Sequence, residues 1–318
     1  LNDAQMCGSF FFLYLFMATK ISFVKTYSKP YELVSLLKTR GLNIADEGKA
    51  EHYLSHIGYY RLSAYMYPLL SFPKELKMFK QGVTFDQVMM LYRFDKKLRM
   101  LLFNEIEKIE VAVRCAIVNY GTEMTGDPFW MTNVRNFSNP TKFNRSIHLI
   151  EEELNHTKED FINNFLETYS DQYPPSWMLT EILPFGIITN IYSNIKNKRI
   201  KKRIAQSFGL QVSPFESWLT VITVTRNSCC HHARIWNRTF SIRATMPIRL
   251  SNPWISLPVN PLKVYFDICI IKYFLDVISP NNDMLNKVKT LFFTFPEVDL
   301  GALGFPRGWE DEPLWIHN

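Results

Sequence analysis

Residues 84–121 have the sequence TFDQVMMLYRFDKKLRMLLFNEIEKIEVAVRCAIVNYG. Thr84 and Gln87 have the spacing of a capping box, a common start of an α-helix. Gly121 is a typical stop signal. The pattern predicts one helix that ends at Tyr120 and is about 54 Å long at 1.5 Å per residue. Its apolar side chains recur every three or four residues on one broad face: Phe85, Val88, Leu91, Phe94, Leu98, Leu101 and Ile109.

The same helical period dominates the rest of the chain, whereas the alternation typical of strands is rare. Glycine accounts for only 12 of the 318 residues, which argues against a turn-rich β-sandwich or barrel. We therefore predict an all-α protein with one main helical bundle. Further helices are predicted at 31–40, 46–56, after Gly58, and at 143–170, 175–183 and 187–208. The predicted regions are an extension at 1–16, an N-terminal helical region at 17–83 and a bundle at 84–318 that forms one compact unit with 17–83.

The most apolar run lies near the start of the sequence. Residues 10–18 (FFFLYLFMA) number only nine, whereas a membrane-spanning helix needs about 20. We predict that this run is peripheral to the fold, that Met17 is the initiator, and that the protein is not a membrane protein. A docking or membrane-surface segment is the alternative.

The five cysteines are an odd number in a large chain. They imply no disulfide framework and favour a reducing cytoplasm. The adjacent residues 229–232 (CCHH) cannot converge on one metal ion from a regular helix, because zinc ligands usually come in two separated pairs. No metal site is predicted.

Residues 213–216 (SPFE) predict the start of another helix, with Ser213 as N-cap and Glu216 completing a capping box. This helix is predicted to run to about Arg238. One stripe along it is mostly small and apolar and is predicted to face the core, with Cys229 as a small buried residue rather than a reactive thiol. The stripe contains Trp218, Ile222, Thr225, Cys229, Ala233 and Trp236.

On the opposite face, Asn227, His231, Arg234 and Arg238 follow at steps of 4, 3 and 4 residues. A histidine beside two arginines suits a phosphate, although a solvated basic helix face has the same pattern. Arg226 lies about 140° from His231 on a straight helix. Either the helix deforms, or the Arg226 side chain reaches round, or a second protomer supplies the partner group.

The sequence Arg226-Asn227-x-x-x-His231 matches the R-x4–6-H motif of HEPN ribonucleases. Residues 221–238 (VITVTRNSCCHHARIWNR) resemble the signature of the Abi-like abortive-infection proteins of the AbiD/AbiF type, with Cys230 where that family tends to have Ala or Gly. The resemblance covers about residues 25–315 and leaves 1–16 outside. Further blocks agree in order: 40–42 (RGL), 57–62 (IGYYRL), Phe94-Asp95-x-x-Leu98-Arg99, Ile106-Glu107-x-Ile109-Glu110-x-x-x-Arg114, Pro174-Pro175-x-Trp177, Phe185-Gly186, Gly304-Phe305-Pro306-x-x-Trp309 and 313–315 (PLW).

The resemblance implies a HEPN-like helical bundle that dimerises, so that two R-x4-H motifs form one composite active site. It implies a metal-independent endoribonuclease without a cofactor, acting as a toxin in phage defence on tRNA or mRNA but not on DNA. The RNA 2′-hydroxyl would attack the adjacent phosphate and leave a 2′,3′-cyclic phosphate. In these roles His231 is the general acid and base, and Arg226 holds the phosphate. Asn227 orients either His231 or the phosphate.

His232, Arg234 and Arg238 are expected to support this site, with His232 in a structural role as the alternative. Glu107, Glu110 and Arg114 are expected to brace the active-site helix, although Glu110 and Arg114 also have the spacing of an ordinary solvated ion pair. A non-catalytic RNA-binding module is the alternative function. A small RNA that acts as antitoxin or regulator is a further expected partner.

The net charge of +6 conceals an uneven distribution. Residues 196–249 carry eleven Lys and Arg against the single acid Glu216, which gives +10, and the remaining chain carries −4. The run 196–203 (KNKRIKKR) is therefore predicted to form an RNA-tracking groove beside the motif, although a solvated face is the usual role of such runs. The predicted RNA-binding residues are Lys198, Arg199, Lys201, Lys202, Arg203 and Arg61. Arg61 follows two tyrosines, Tyr59 and Tyr60, which either stack on bases or pack in the core.

Overall fold

The computed structural model describes Ser22, Val24 and residues 26–316. The predictions made for residues 1–16, for the apolar run 10–18 and for Met17 lie outside the described residues. Within the described part, none of the helices is long and apolar enough to span a membrane.

The described residues form α-helices joined by turns, short 3₁₀ segments and three isolated β-bridges, and they contain no β-strand. The all-α prediction is therefore confirmed. The helices are α1 (Pro30–Thr39), α2 (Glu47–His56), α3 (Tyr59–Met66), α4 (Phe85–Thr125), α5 (Pro140–His156), α6 (Asp160–Thr168), α7 (Ser176–Ile182), α8 (Phe185–Asn194), α9 (Lys198–Ser207), α10 (Val212–Cys230), α11 (Val264–Ile278), α12 (Met284–Thr294), α13 (Leu300–Leu303) and α14 (Pro313–Ile316).

The chain divides into two compact units, Leu1–Phe85 and Asp86–Asn318. In the first unit, α1, α2 and α3 lie where the sequence predicts them. The Asp46 side chain accepts a hydrogen bond from the backbone N–H of Lys49 and caps α2. Gly41 and Gly58, which follow α1 and α2, have positive φ values of 86° and 89° that favour glycine. Local turn and cap signals thus set these helix ends.

In the second unit, α4 extends five residues beyond the predicted end at Tyr120. Gly121 lies inside the helix, and a Cβ atom there would come within 2.4 Å of the Trp130 ring. Trp130 is fully buried. The glycine therefore makes room for a core tryptophan and does not end the helix.

Two predicted helical stretches are each divided in two. The 143–170 stretch is interrupted after His156, where Thr157 has an extended backbone. The 187–208 stretch is interrupted between α8 and α9, where the Asn197 side chain accepts from the N–H of Arg199 and starts a new helix. In both cases an extended residue or a cap ends the helix although the apolar period continues.

The core of the second unit is centred on α11, whose residues from Val264 to Leu275 are all buried. A helix that is apolar all round belongs in the middle of a protein. On its α10 side, aromatic rings pack together, with Phe274 of α11 contacting Phe208, Phe215 and Trp218. This packing fixes the helix that carries Arg226 and His231.

Candidate functional site

Helix α10 begins one residue before the predicted capping box. Its N-cap is Gln211, whose side chain makes no capping bond, and Ser213 is the second helical residue. The prediction of Ser213 as N-cap is therefore wrong. The predicted core stripe is confirmed over the helix itself, because Trp218, Ile222, Thr225 and Cys229 are all buried.

The end of α10 differs from the prediction. The helix ends at Cys230 and does not continue to Arg238. The N–H of Ala233 donates to the Ser228 carbonyl and the N–H of His232 donates to the Cys229 carbonyl, the paired bonds of a Schellman C-cap. His232 has φ 55°, the left-handed conformation that this cap requires. The backbone of His232 thus turns the chain out of the helix.

This turn separates residues that were predicted to share a face. Arg238 Nη1 lies 3.3 Å from the Ser228 hydroxyl, to which it donates, and its guanidinium lies 5.0 Å from the Phe240 ring centroid. Arg234 is half-buried after the turn. The prediction of one face shared by Asn227, His231, Arg234 and Arg238 is wrong beyond His231, because the chain leaves the helix before Arg234.

The segment after the turn is held by a buried carboxylate. Asp95 Oδ1 accepts the backbone N–H groups of Ile235 at 3.1 Å and Trp236 at 2.7 Å. Asp95 also pairs with Arg99, one turn along α4, and Arg99 donates to the Ala233 carbonyl at 3.4 Å. Asp95 is fully buried. The motif Phe94-Asp95-x-x-Leu98-Arg99 therefore anchors the chain that follows His231.

A second carboxylate holds Arg226. The Arg226 Nε donates to Glu110 Oε1 at 2.9 Å, and the Arg226 guanidinium carbon lies 5.9 Å from the ring centroid of the half-exposed Phe103. Arg226 Nη1 also donates to the Asn227 side-chain oxygen at 3.4 Å. Glu110 and Phe103 both belong to α4. The guanidinium is therefore directed onto α4.

The other two residues expected to brace α10 have different positions. Arg114 Nη2 lies 3.8 Å from Glu110 Oε2, and Arg114 Nη1 donates to the carbonyls of Thr180 and Leu183. Burial lowers the pKa of the Arg114 guanidinium. The Glu110–Arg114 pair is thus mostly buried and joins α4 to the end of α7. Glu107 is exposed to solvent.

A third carboxylate accepts a hydrogen bond from the buried side of α10. Asp267 on α11 accepts from the Thr225 hydroxyl at 2.9 Å. Burial raises the pKa of Asp267 to about 7, against the lowering effects of that hydrogen bond and of the Arg238 charge. Burial also raises the pKa of Cys229 to about 12, which keeps its thiol protonated and agrees with a structural role.

The face that carries Asn227 and His231 is open to solvent. Both residues are exposed, and the N–H of His231 donates to the Asn227 carbonyl at 2.9 Å. This bond has the α-helical i to i−4 pattern, so the backbone remains helical up to His231. Arg226 therefore stays about 140° away around the helix axis. Helix deformation, one of the three predicted ways to bring the two side chains together, does not occur in α10.

The basic run lies at the other end of α10. Lys198, Lys201 and Lys202 line a cavity of about 580 Å³ together with Gln206, residues 209–212 and Ser251. Lys201 pairs with Glu216 and donates to the Ser193 carbonyl at 2.9 Å. The backbone rises about 28 Å from Val212 to His231. The cavity is therefore distant from the Arg226 and His231 motif, and the prediction that the run lies beside the motif is wrong.

The remaining predicted RNA-binding residues do not line this cavity. Arg199 is exposed on α9, and the Arg203 guanidinium lies 5.3 Å from the Tyr120 ring centroid on α4. Arg61 is exposed in the first unit. Arg199 and Arg203 belong to α9 of the second unit.

Sequence reasoning missed Asp95 and Asp267 as residues that position the site. Asp95 lies within a motif of the resemblance. However, the backbone groups that it binds, at Ile235 and Trp236, lie about 140 residues away, and no local pattern indicates that contact. Asp267 is the one acid in the first turn of the apolar helix α11. A carboxylate within the apolar first turn of a helix is an available signal, since an acid in such a position needs a partner.

Comparisons with known proteins agree with the sequence pattern. A family model described as "Abi-like protein" matches residues 52–237, which include α4, α10 and the turn after it. No curated protein and no solved structure matches the chain.

Proposed function

The chain belongs to the Abi-like protein family, and from this premise we propose that it is a metal-independent endoribonuclease of the HEPN type. The family points to abortive infection, a form of phage defence. In the proposed role the protein is a toxin that cleaves tRNA or mRNA in the cytoplasm of an infected cell. The observation that carries the proposal is the arrangement at the end of α10, where an arginine held by the Glu110 carboxylate lies five residues, or about 1.4 helical turns, before a solvent-exposed histidine.

The proposed chemistry uses three side chains. His231 takes the proton from the RNA 2′-hydroxyl and returns a proton to the leaving 5′-oxygen, as histidines do near neutral pH. The 2′-oxygen forms a bond to the adjacent phosphorus while the bond to the 5′-oxygen breaks, which leaves a 2′,3′-cyclic phosphate. Arg226 donates to the phosphate oxygens as their charge grows. The Asn227 side-chain oxygen accepts a hydrogen bond from Arg226 and orients its guanidinium.

A dimer is part of the proposal because Arg226 and His231 of one chain point in different directions. A second copy that docks beside Arg226 would complete the site with its own histidine. An exposed stripe on α4 suits this contact, with Met100, Phe103 and Val111 at helical spacing beside Glu107. Large exposed apolar side chains that share one face of a helix are typical of interaction surfaces.

The test of catalysis compares two neighbouring histidines. We expect His231→Ala to lower the rate of RNA cleavage by about 10²- to 10⁴-fold, the usual contribution of an acid–base group. His232→Gly is the matched control, because glycine readily adopts the left-handed conformation of that position. We expect it to retain cleavage and to change the free energy of unfolding by no more than about 1 kcal/mol. The assay is cleavage of RNA with chelator present, with analysis of the product ends.

An active His231→Ala chain would contradict the proposal. RNA that is bound without cyclic-phosphate ends would identify the non-catalytic RNA-binding module. Sequencing of RNA that co-purifies with the protein would reveal a small regulatory RNA.

The test of the dimer is the mass of the purified protein in solution. We expect twice the chain mass for the natural protein and a single chain for Val111→Glu, because a buried unpaired charge opposes association. Val134→Glu, an exposed valine away from α4, is the control. A monomeric natural protein with full cleavage activity would overturn the composite site.

A further inference from the structure

The first unit contains a cavity that the proposed active site does not use. It measures about 280 Å³ and is lined by Tyr59, Tyr60 and Tyr67 together with Arg40, Lys74 and Lys77. We propose that it binds one nucleotide, with the base on the tyrosines and the phosphate on the basic groups. Pockets for drug-sized ligands measure about 300–1,000 Å³, so a cavity of this volume suits a ligand no larger than a single nucleotide. The identification of the ligand as part of an RNA rests on the proposed function.

Two of the three tyrosines at this cavity, Tyr60 and Tyr67, lie outside the core, whereas Tyr59 is half-buried. Helix α3 packs inward through Leu62, Tyr65 and Met66, which are all buried. In contrast, Tyr60 is 92% exposed and Tyr67 is 57% exposed. Burial of large rings is strongly favourable, so an exposed ring at the edge of a cavity can gain by stacking on a ligand, and Tyr67 can do so through the ring face that Lys74 does not cover. Every nucleobase offers a flat face for such stacking.

The charges at the cavity select an anionic ligand. Arg40 Nη1 donates to the Tyr59 hydroxyl at 3.0 Å, which places a cation at the cavity wall. Lys74 Nζ lies 4.3 Å from the Tyr67 ring centroid. Within the described part of the chain no carboxylate pairs with Lys77, and none lines the cavity. Aromatic faces combined with unneutralised cations match the two halves of a nucleotide.

The cavity is lined by separate parts of the sequence. Arg40 follows α1, and Tyr59 and Tyr60 begin α3. The hydrogen bond from Arg40 to Tyr59 joins them, and the loop that carries Lys74 and Lys77 closes the third side. Three parts of the first unit therefore meet at this cavity.

The experiment measures binding to the full chain of a labelled 12-nucleotide 2′-O-methyl RNA, which has no free 2′-hydroxyl and cannot be cleaved, and of AMP and UMP. We expect Tyr60→Ala and Tyr67→Ala each to weaken binding by about tenfold or more, because loss of one stacking ring has roughly that effect. Tyr31→Ala, an exposed tyrosine of the same unit outside the cavity, is the control and is expected to bind as the natural chain does. Lys77→Gln is expected to weaken binding, and Lys80→Gln is its control.

Binding of both the mononucleotides and the oligomer through these tyrosines would support the site and identify a free nucleotide as a sufficient ligand. Binding of the oligomer alone, with the same tyrosine dependence, would support an unpaired nucleotide within an RNA. Equal affinities of the Tyr60→Ala, Tyr67→Ala and Tyr31→Ala chains would overturn the proposal, as would failure of all probes to bind. Cleavage is scored separately on unmodified RNA, so loss of the proposed nuclease activity and loss of this site are distinguishable.

Discussion

The two ends of α10 differ in how their charges are balanced. At the C-terminal end, three buried carboxylates hold the helix and the chain after it. Glu110 binds Arg226, Asp267 binds Thr225, and Asp95 binds the backbone at Ile235 and Trp236. At the N-terminal end, three lysines surround an open cavity, and of these three Lys201 has the carboxylate Glu216 as partner.

The two sets of charges therefore have different effects: the buried carboxylates hold their partners in place, and the open lysines attract phosphate. A buried carboxylate loses the free energy of hydration and is stable only when it is hydrogen-bonded or paired, so each one fixes its partner in a single place. Lysines on an open surface keep their hydration and attract phosphate over a distance of about 10 Å at moderate salt. The C-terminal end has the rigidity that acid–base chemistry requires, and the N-terminal end has the charge that RNA binding requires.

The largest expected effect is at Asp95. Asp95→Asn removes the carboxylate that faces the buried Arg99 and weakens the hold on the backbone after His231. We expect the free energy of unfolding to fall by about 3–5 kcal/mol, the usual result of breaking a buried ion pair. Cleavage should be lost with it. Urea unfolding measures the stability.

Asp86→Asn is the matched control, because Asp86 is an exposed residue in the first turn of the same helix. It is expected to change the stability by less than about 0.5 kcal/mol. If Asp95→Asn were as mild as its control, the C-terminal end would not depend on its buried carboxylates and the contrast with the other end would fail.

A smaller effect is expected at Glu110. Glu110→Gln keeps the shape of the side chain but removes the charge that holds Arg226. We expect cleavage to slow by about ten- to hundredfold, because a displaced phosphate-binding group loses its alignment with the reacting atoms. Glu123→Gln, at an exposed position of the same helix outside the proposed dimer stripe, is expected to retain full activity. Equal rates for the two variants would show that Arg226 does not depend on Glu110.

The same contrast shows what the sequence alone can predict. The helical period and its local signals were sufficient for an all-α fold, for α1 to α3 and for the core-facing stripe of α10. The end of α10 was not predictable in this way, because His232 occupies the left-handed position where glycine is usual. The carboxylate contacts were missed for a different reason. They join residues between 42 and 141 positions apart in sequence, and no local pattern records such pairs.

The smallest expected effect, and the sharpest test of the N-terminal end, concerns the two lysines of the cavity that no described carboxylate neutralises. Each phosphate contact with a single strand contributes about 0.7 to the slope of log affinity against log salt. The double variant Lys198→Gln, Lys202→Gln should therefore lower that slope by about 1.4 and leave the stability unchanged. Lys142→Gln with Lys158→Gln, exposed lysines elsewhere in the second unit, is the control and should leave the slope unchanged.

The length of the RNA decides whether this cavity and the proposed active site bind the same strand. Phosphates of one helical strand are about 3.4 Å apart along the axis, so about eight nucleotides are needed to cover the 28 Å between the ends of α10. A four-nucleotide RNA held at Arg226 is too short to reach the lysines, and its binding should be the same in the double variant and the natural chain. A twelve-nucleotide RNA should bind more weakly to the double variant. If both lengths were affected equally, the lysines would act through long-range attraction alone and would not contact the strand that is cleaved.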